Sequence, residues 1–110
     1  MGYYTKYELS TFYSKDKKSY TPIEELRAEN ICARSAFSED GDFKEELKWY
    51  DHENDLKEFS SRPKYKDVLF ALSGIGENEG DIWIKYFKNG KMQVCEAEIV
   101  YPSFDESKLQ

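Results

Sequence analysis

The chain is poor in the residues that most often carry chemistry: one histidine, two cysteines and three prolines in 110 residues. No apolar run comes near the roughly 18 residues that cross a membrane. Each shortage removes a class of function. With His52 alone, no two-histidine metal site can form in one chain, and His52-Glu53-Asn54-Asp55 is not the His-Glu-x-x-His pattern of metalloproteases. A buried or helix-capping histidine is the plain reading, with a general base or ligand as the alternative. Cys32 and Cys95 stand far apart without a Cys-x-x-Cys spacing. They read as reduced thiols serving as small apolar residues, with a disulfide or redox pair as the alternative. Met1-Gly2-Tyr3-Tyr4-Thr5-Lys6 is neither a signal peptide nor a myristoylation signal. A soluble, cytoplasmic protein without a membrane partner is expected.

Phosphate loops and calcium loops are missing as well. Gly74-Ile75-Gly76 with Gly80 lacks the lysine of a phosphate cradle, leads into a strand, and carries Glu77, Glu79 and Asp81, which repel phosphate. Glu39-Asp40-Gly41-Asp42 with Glu45 or Glu46 offers oxygen ligands, but not at EF-hand spacing. No metal and no cofactor is expected. Basic charge is scarce too: the formal net charge of −6 argues against nucleic acid as a direct partner, because phosphate binding needs a basic stripe.

Acid is what the chain has. The twenty residues from Glu39 to Glu58 hold nine acids (Glu39, Asp40, Asp42, Glu45, Glu46, Asp51, Glu53, Asp55, Glu58) against three lysines, a local balance equal to that of the whole chain. Like charges repel, so folding alone does not call for such a concentration. It reads either as a solvated face or as a docking surface for a basic protein groove, a mimic of nucleic-acid charge. A second knot, Glu77-Glu79-Asp81, joins it if the hairpin around Gly80 folds toward the start of the helix at His52. Aromatics are plentiful at 16% and suffice, with 39% hydrophobic residues, for the core of one domain over 1–102. Residues 103–110 read as a flexible tail.

Residues 3–9 alternate, with Tyr3, Thr5, Tyr7 and Leu9 on one side, as a half-buried strand does. A loop over Ser14–Ser19 follows. Thr21-Pro22-Ile23-Glu24 predicts a capping box opening a helix over 22–34, with Ile23, Leu26, Asn30 and Ala33 on its buried face and Tyr20 stapling its first turn. Turn residues lead from Phe37 to a strand over 46–50, after which Asp51 caps a second helix over 52–61 that buries His52, Leu56 and Phe59. Pro63 ends it. Val68–Leu72 is a central strand, residues 74–80 a hairpin connection, and 82–87 the next strand. Asn89-Gly90 predicts a two-residue hairpin turn. A last strand over 92–101 points Cys95, Ala97, Ile99 and Tyr101 inward, which makes the Cys95 thiol inert. Pro102 stops it. The class is α+β: an antiparallel sheet, built of a meander of the last three strands plus the N-terminal strand, with two helices on one face, ferredoxin-like or similar.

Lys48-Trp49-Tyr50-Asp51-His52-Glu53, the later Lys66-Asp67-Val68-Leu69-Phe70, Gly80-Asp81-Ile82-Trp83 and Tyr86-Phe87-Lys88-Asn89-Gly90-Lys91 cover about residues 48–91. They resemble a pattern in small accessory proteins of tailed phages and prophages, and more weakly phage-borne ferredoxin-like domains. The group carries no established catalytic residues. The resemblance implies a small accessory protein of a phage or mobile element, in the cytoplasm of an infected bacterium. Many such proteins bind a host protein, including defence nucleases of the CRISPR kind and their complexes. The shortage of histidine, spaced cysteines, a phosphate-loop lysine and carboxylates in an apolar setting argues against enzymatic activity.

The principal expectation is therefore a non-catalytic protein that binds and inhibits or modulates a host protein with a basic surface. Its contacts would be the nine acids of 39–58 with Glu77, Glu79 and Asp81. Two alternatives stand beside it. One is a nucleic-acid-binding module, or protein contact, using the sheet aromatics Trp83, Tyr86 and Phe87. The other is a structural or homodimeric accessory protein.

Overall fold

The structure, a computed structural model, describes residues 4–14, 17–78, 80–97 and 103–109. The expectations for Tyr3, Lys15, Asp16, Glu79, Glu98, Ile99, Tyr101 and Pro102 lie outside these residues. Among them runs a five-stranded antiparallel sheet in the order β2-β1-β3-β4-β5: β1 Thr5–Ser14, β2 Lys17–Lys18, β3 Leu69–Gly76, β4 Ile82–Lys88 and β5 Lys91–Glu96. Three helices, α1 Thr21–Glu29, α2 Ile31–Ala36 and α3 His52–Ser60, all fall between β2 and β3.

Register assigns the two faces of the sheet. Leu9 pairs with Leu72 and Thr11 with Phe70, while Phe70 pairs with Phe87; all five are buried. The helices close this face with Ile23, Leu26, Ala33, Leu56 and Phe59, and such burial contributes about 1.5–3 kcal/mol per large apolar side chain. The opposite face has no helix among the described residues and exposes Ile75, Ile82 and Ile84. Cys95 pairs with Ile84 and therefore points to this open face, as does Ala97 two residues on; both were expected inward. The strand period was read correctly there but its phase was not: Met92, on the other phase, packs on the core.

The α+β class, the antiparallel sheet and the helices on one face agree with the sequence. The Asn89-Gly90 turn does too, with φ of 53° and 79°, the left-handed pair that a tight hairpin needs. The strand at 46–50 does not form, so no strand separates the helices as a ferredoxin-like order requires. Leu47 exchanges two backbone hydrogen bonds with Thr5, and Trp49 then turns into the core. The helix expected over 22–34 breaks at Asn30, whose backbone is extended. Its N–H closes α1 on the Leu26 carbonyl, and its Oδ1 accepts from Ala33 N–H to cap α2. The Thr21 capping box is not made: Tyr20 occupies the N-cap position, without a side-chain bond, and is 43% exposed instead of stapled. Lys17 and Lys18 pair with β1 instead of looping.

Candidate functional site

The acidic loop between α2 and α3 is held by its backbone, not by its charges. It runs along the edge of β1 that β3 leaves open: Leu9 N–H donates to the Gly41 carbonyl (2.9 Å), and Thr5 and Leu47 bond both ways. Gly41 has φ of +87°, and a Cβ there would stand 1.9 Å from the Leu9 carbonyl oxygen, so only glycine fits. Glu39, Asp40, Asp42 and Glu45 are exposed and make no ion pair among the described residues, and Glu46 lies 3.8 Å from Lys6.

The acids of α3 are otherwise engaged. Asp55 Oδ2 accepts from Trp49 Nε1 (2.8 Å) and Asn30 Nδ2 (3.1 Å), fastening the loop and α2 to α3. Glu58 shares Arg62 with Glu29, and both carboxylates lie within 2.9 Å of the guanidinium. These hydrogen bonds push the arginine's pKa further up and lower that of Glu58. Glu53 is 3.0 Å from Lys85, whose hydrogen bond holds its carboxyl below the usual range. Asp51 sits at the α3 N-cap but makes no cap bond, which corrects the expected cap and leaves its carboxylate exposed.

The tip of the β3–β4 hairpin does reach the start of α3. Tyr4 N–H donates to Glu77 Oε1 (2.9 Å) one residue before Thr5, which is itself tied to Leu47. Asp81 lines a cleft of about 220 Å³ with Thr5, Tyr7, Trp49, Tyr50, His52, Trp83 and Lys85. Of the acids in the two clusters, Asp81 is the one that lines this cleft.

That cleft is built from three elements. Trp83 lies flat over Gly74, its β3 partner, where a Cβ would stand 2.2 Å from the indole. It thereby reaches Tyr7 on β1, at 6.1 Å between ring centres, while His52 stacks on it at 5.3 Å and 15°. Trp49 meets Tyr7 edge-on at 5.5 Å. Lys85, two residues from Trp83 on the same face, places Nζ 4.2 Å from its ring centre and 2.6 Å from His52 Nε2. Burial pushes the His52 pKa down, and Lys85 adds to this. A neutral imidazole that accepts from the Lys85 ammonium at Nε2 must carry its proton on Nδ1, which donates to the Trp49 carbonyl at 2.8 Å. Both ring nitrogens are thus engaged.

Of the sheet aromatics, Phe87 is core at 0% exposure, which corrects its assignment as a contact residue. Trp83 and Tyr86 lie on opposite faces, so the three do not form one stacking platform. Tyr7, Trp49, Tyr50, His52 and Lys85 were not read as a site. The Trp49-Tyr50-Asp51-His52 run and the shared phase of Trp83 and Lys85 were the available signals. Among the described residues no group of three His, Cys, Asp or Glu is placed to hold a metal ion, and no helix is long and apolar enough to cross a membrane. Comparisons with known proteins returned no matching family model, curated protein or solved structure.

Proposed function

We propose that this is a non-catalytic binding protein that docks a basic protein partner on an acidic rim. The observation that carries this reading is that Glu39, Asp40, Asp42 and Glu45 stand exposed and outside any ion pair among the described residues, with Asp51 exposed at the start of α3. A surplus of exposed acid raises the association rate with an oppositely charged surface. His52, with both nitrogens engaged, supports a positioning role over that of a free base. The resemblance of residues 48–91 to phage accessory proteins supports a nucleic-acid-handling host protein as the basic partner, with inhibition or modulation as the outcome. The test is affinity capture from a bacterial lysate at low and high salt, with wild type and a variant carrying Glu45, Glu46, Asp51 and Glu77 all changed to Lys. Basic proteins held by wild type, released by salt and absent from the variant are expected. The same proteins held equally by both baits would refute the rim.

The open sheet face supports a second reading, self-association. Ile75 pairs with Ile82, and Ile84 lies beside Cys95, on a face whose centre is uncharged in a chain with 35% charged residues. Sedimentation equilibrium of wild type against Ile84→Lys decides it: a dimer lost in the variant supports the reading, and a wild-type monomer removes it.

A further inference from the structure

We infer that the pocket at the Asn89-Gly90 end of the sheet binds a phosphate monoester with a planar aromatic body, the phosphate held between Lys88 and Lys91. This site is separate from the acidic docking surface and does not rest on that reading. Lys88 and Lys91 flank the two-residue turn and pair directly across β4 and β5, so both side chains leave the sheet on the same face. Like charges opposed in this way repel. Lys6, Lys64 and Lys85 each hold a glutamate, whereas Lys88 and Lys91 make no ion pair among the described residues. In a chain with 22 acids against 16 bases, folding alone does not call for such an uncompensated pair.

A pocket of about 380 Å³ opens beside the pair, within the size range of small-ligand sites. Leu69, Tyr86 and Met92 give it apolar walls, Gln93 adds an amide, and no acid lines it. Tyr86 pairs with Gln93 as Lys88 does with Lys91, which sets the ring one step along the same face from the two ammonium groups. The half-buried Tyr86 makes no ring contact and no hydrogen bond among the described residues, so a flat ligand would meet an unused ring. A phosphate monoester carries about −1.5 to −2 charges at neutral pH, which two lysines match and a single carboxylate does not. The acidic hairpin tip is too far to oppose it. Asp81 and Lys88 bracket β4, a separation of about 20 Å at roughly 3.3 Å per residue, beyond the Debye length of about 8 Å at physiological salt. The turn is also fixed before any ligand arrives. Gly90 N–H donates to the buried Ser60 Oγ (3.1 Å), and a Cβ on Gly90 would stand 3.1 Å from that of Ser61, so the hairpin lies fast against the end of α3.

Amide NMR spectra of the intact chain follow the site residue by residue. Phenyl phosphate should shift the amides of Tyr86, Lys88, Lys91 and Gln93 saturably, and bind severalfold more tightly than inorganic phosphate. Lys88→Ala and Lys91→Ala should each weaken it about fivefold, the loss of one exposed charge contact. Tyr86→Ala should weaken phenyl phosphate by a similar factor and leave inorganic phosphate unchanged. Lys91→Glu replaces the repulsion with a cross-strand ion pair, so binding should vanish while Tm rises. Adenosine monophosphate and phosphotyrosine separate the two sources of this chemistry: saturable binding of either at these amides supports the inference, and the tighter one names the class. Failure of all three monoesters to shift these amides would overturn it, as would wild-type affinity in Lys91→Glu or inorganic phosphate binding as tightly as phenyl phosphate.

Discussion

The acids of the loop and the acids of α3 are neighbours in sequence and opposites in structure. Glu39, Asp40, Asp42 and Glu45 project from a loop and make no ion pair among the described residues, whereas Glu53, Asp55 and Glu58 each hold a donor of the fold. Charge counted along a chain is therefore not charge offered to a partner. The helix acids are largely spent on structure, and the loop and the N-cap Asp51 supply what remains.

The loop is most sensitive at its backbone. Gly41→Ala forces a left-handed residue and a clash with the Leu9 carbonyl, and should cost about 3–5 kcal/mol by urea unfolding. An effect below about 1 kcal/mol would mean that the loop is not seated on β1. Asp55→Ala strands the Trp49 indole N–H and the Asn30 amide, for an expected loss of about 2–3 kcal/mol. Arg62→Ala releases Glu29 and Glu58 from a partly exposed pairing and should cost about 1 kcal/mol, shrinking in high salt.

His52 gives a smaller, pH-dependent signal. Burial holds its pKa below the ordinary value, while Lys85 lowers it further and Glu53 and Asp55 oppose. The unfolded chain protonates first, so this contribution is complete above about pH 6.5. It is lost as the pH falls below that value toward the folded pKa. Thermal melts of wild type should lose stability on that limb more steeply than those of His52→Gln. Identical limbs would place the protonation elsewhere. Smallest of all, neutralising Glu39, Asp40, Asp42 and Glu45 together should move stability by no more than about 0.5 kcal/mol. A large loss would make them structural after all.

Alternation made the first half of β1 readable, a continuous apolar run the first half of β3, and Asn89-Gly90 the β4–β5 hairpin, because these are local signals. β1 runs on to Ser14, and Gly74-Ile75-Gly76, expected in the hairpin connection, extends β3 because it pairs with β1 and β4. Asn30 was legible as a cap residue, yet apolar spacing on both sides read through it as one helix. The segment around Trp49 was not legible at all, since its path depends on Asp55 and Thr5, which no local pattern ties to it. The phase of β5 failed for a related reason: Cys95 and Ala97 are apolar enough for either face, and only pairing with β4 decides. The cleft needed three elements to meet. Its parts were visible, but their meeting was not.

If the exposed acids, not the paired ones, steer a basic partner, two double variants with the same change in charge should separate them. Asp51→Asn with Glu77→Gln removes two rim charges, and Glu29→Gln with Glu58→Gln removes two that Arg62 already offsets. Stopped-flow tryptophan fluorescence would follow association with acetylated pentaarginine across ionic strength. The variant of Asp51 and Glu77 should bind severalfold more slowly, with a flatter salt dependence, while the paired variant stays near wild type. Equal slowing in both would contradict it, because the protein would then attract cations by net charge alone.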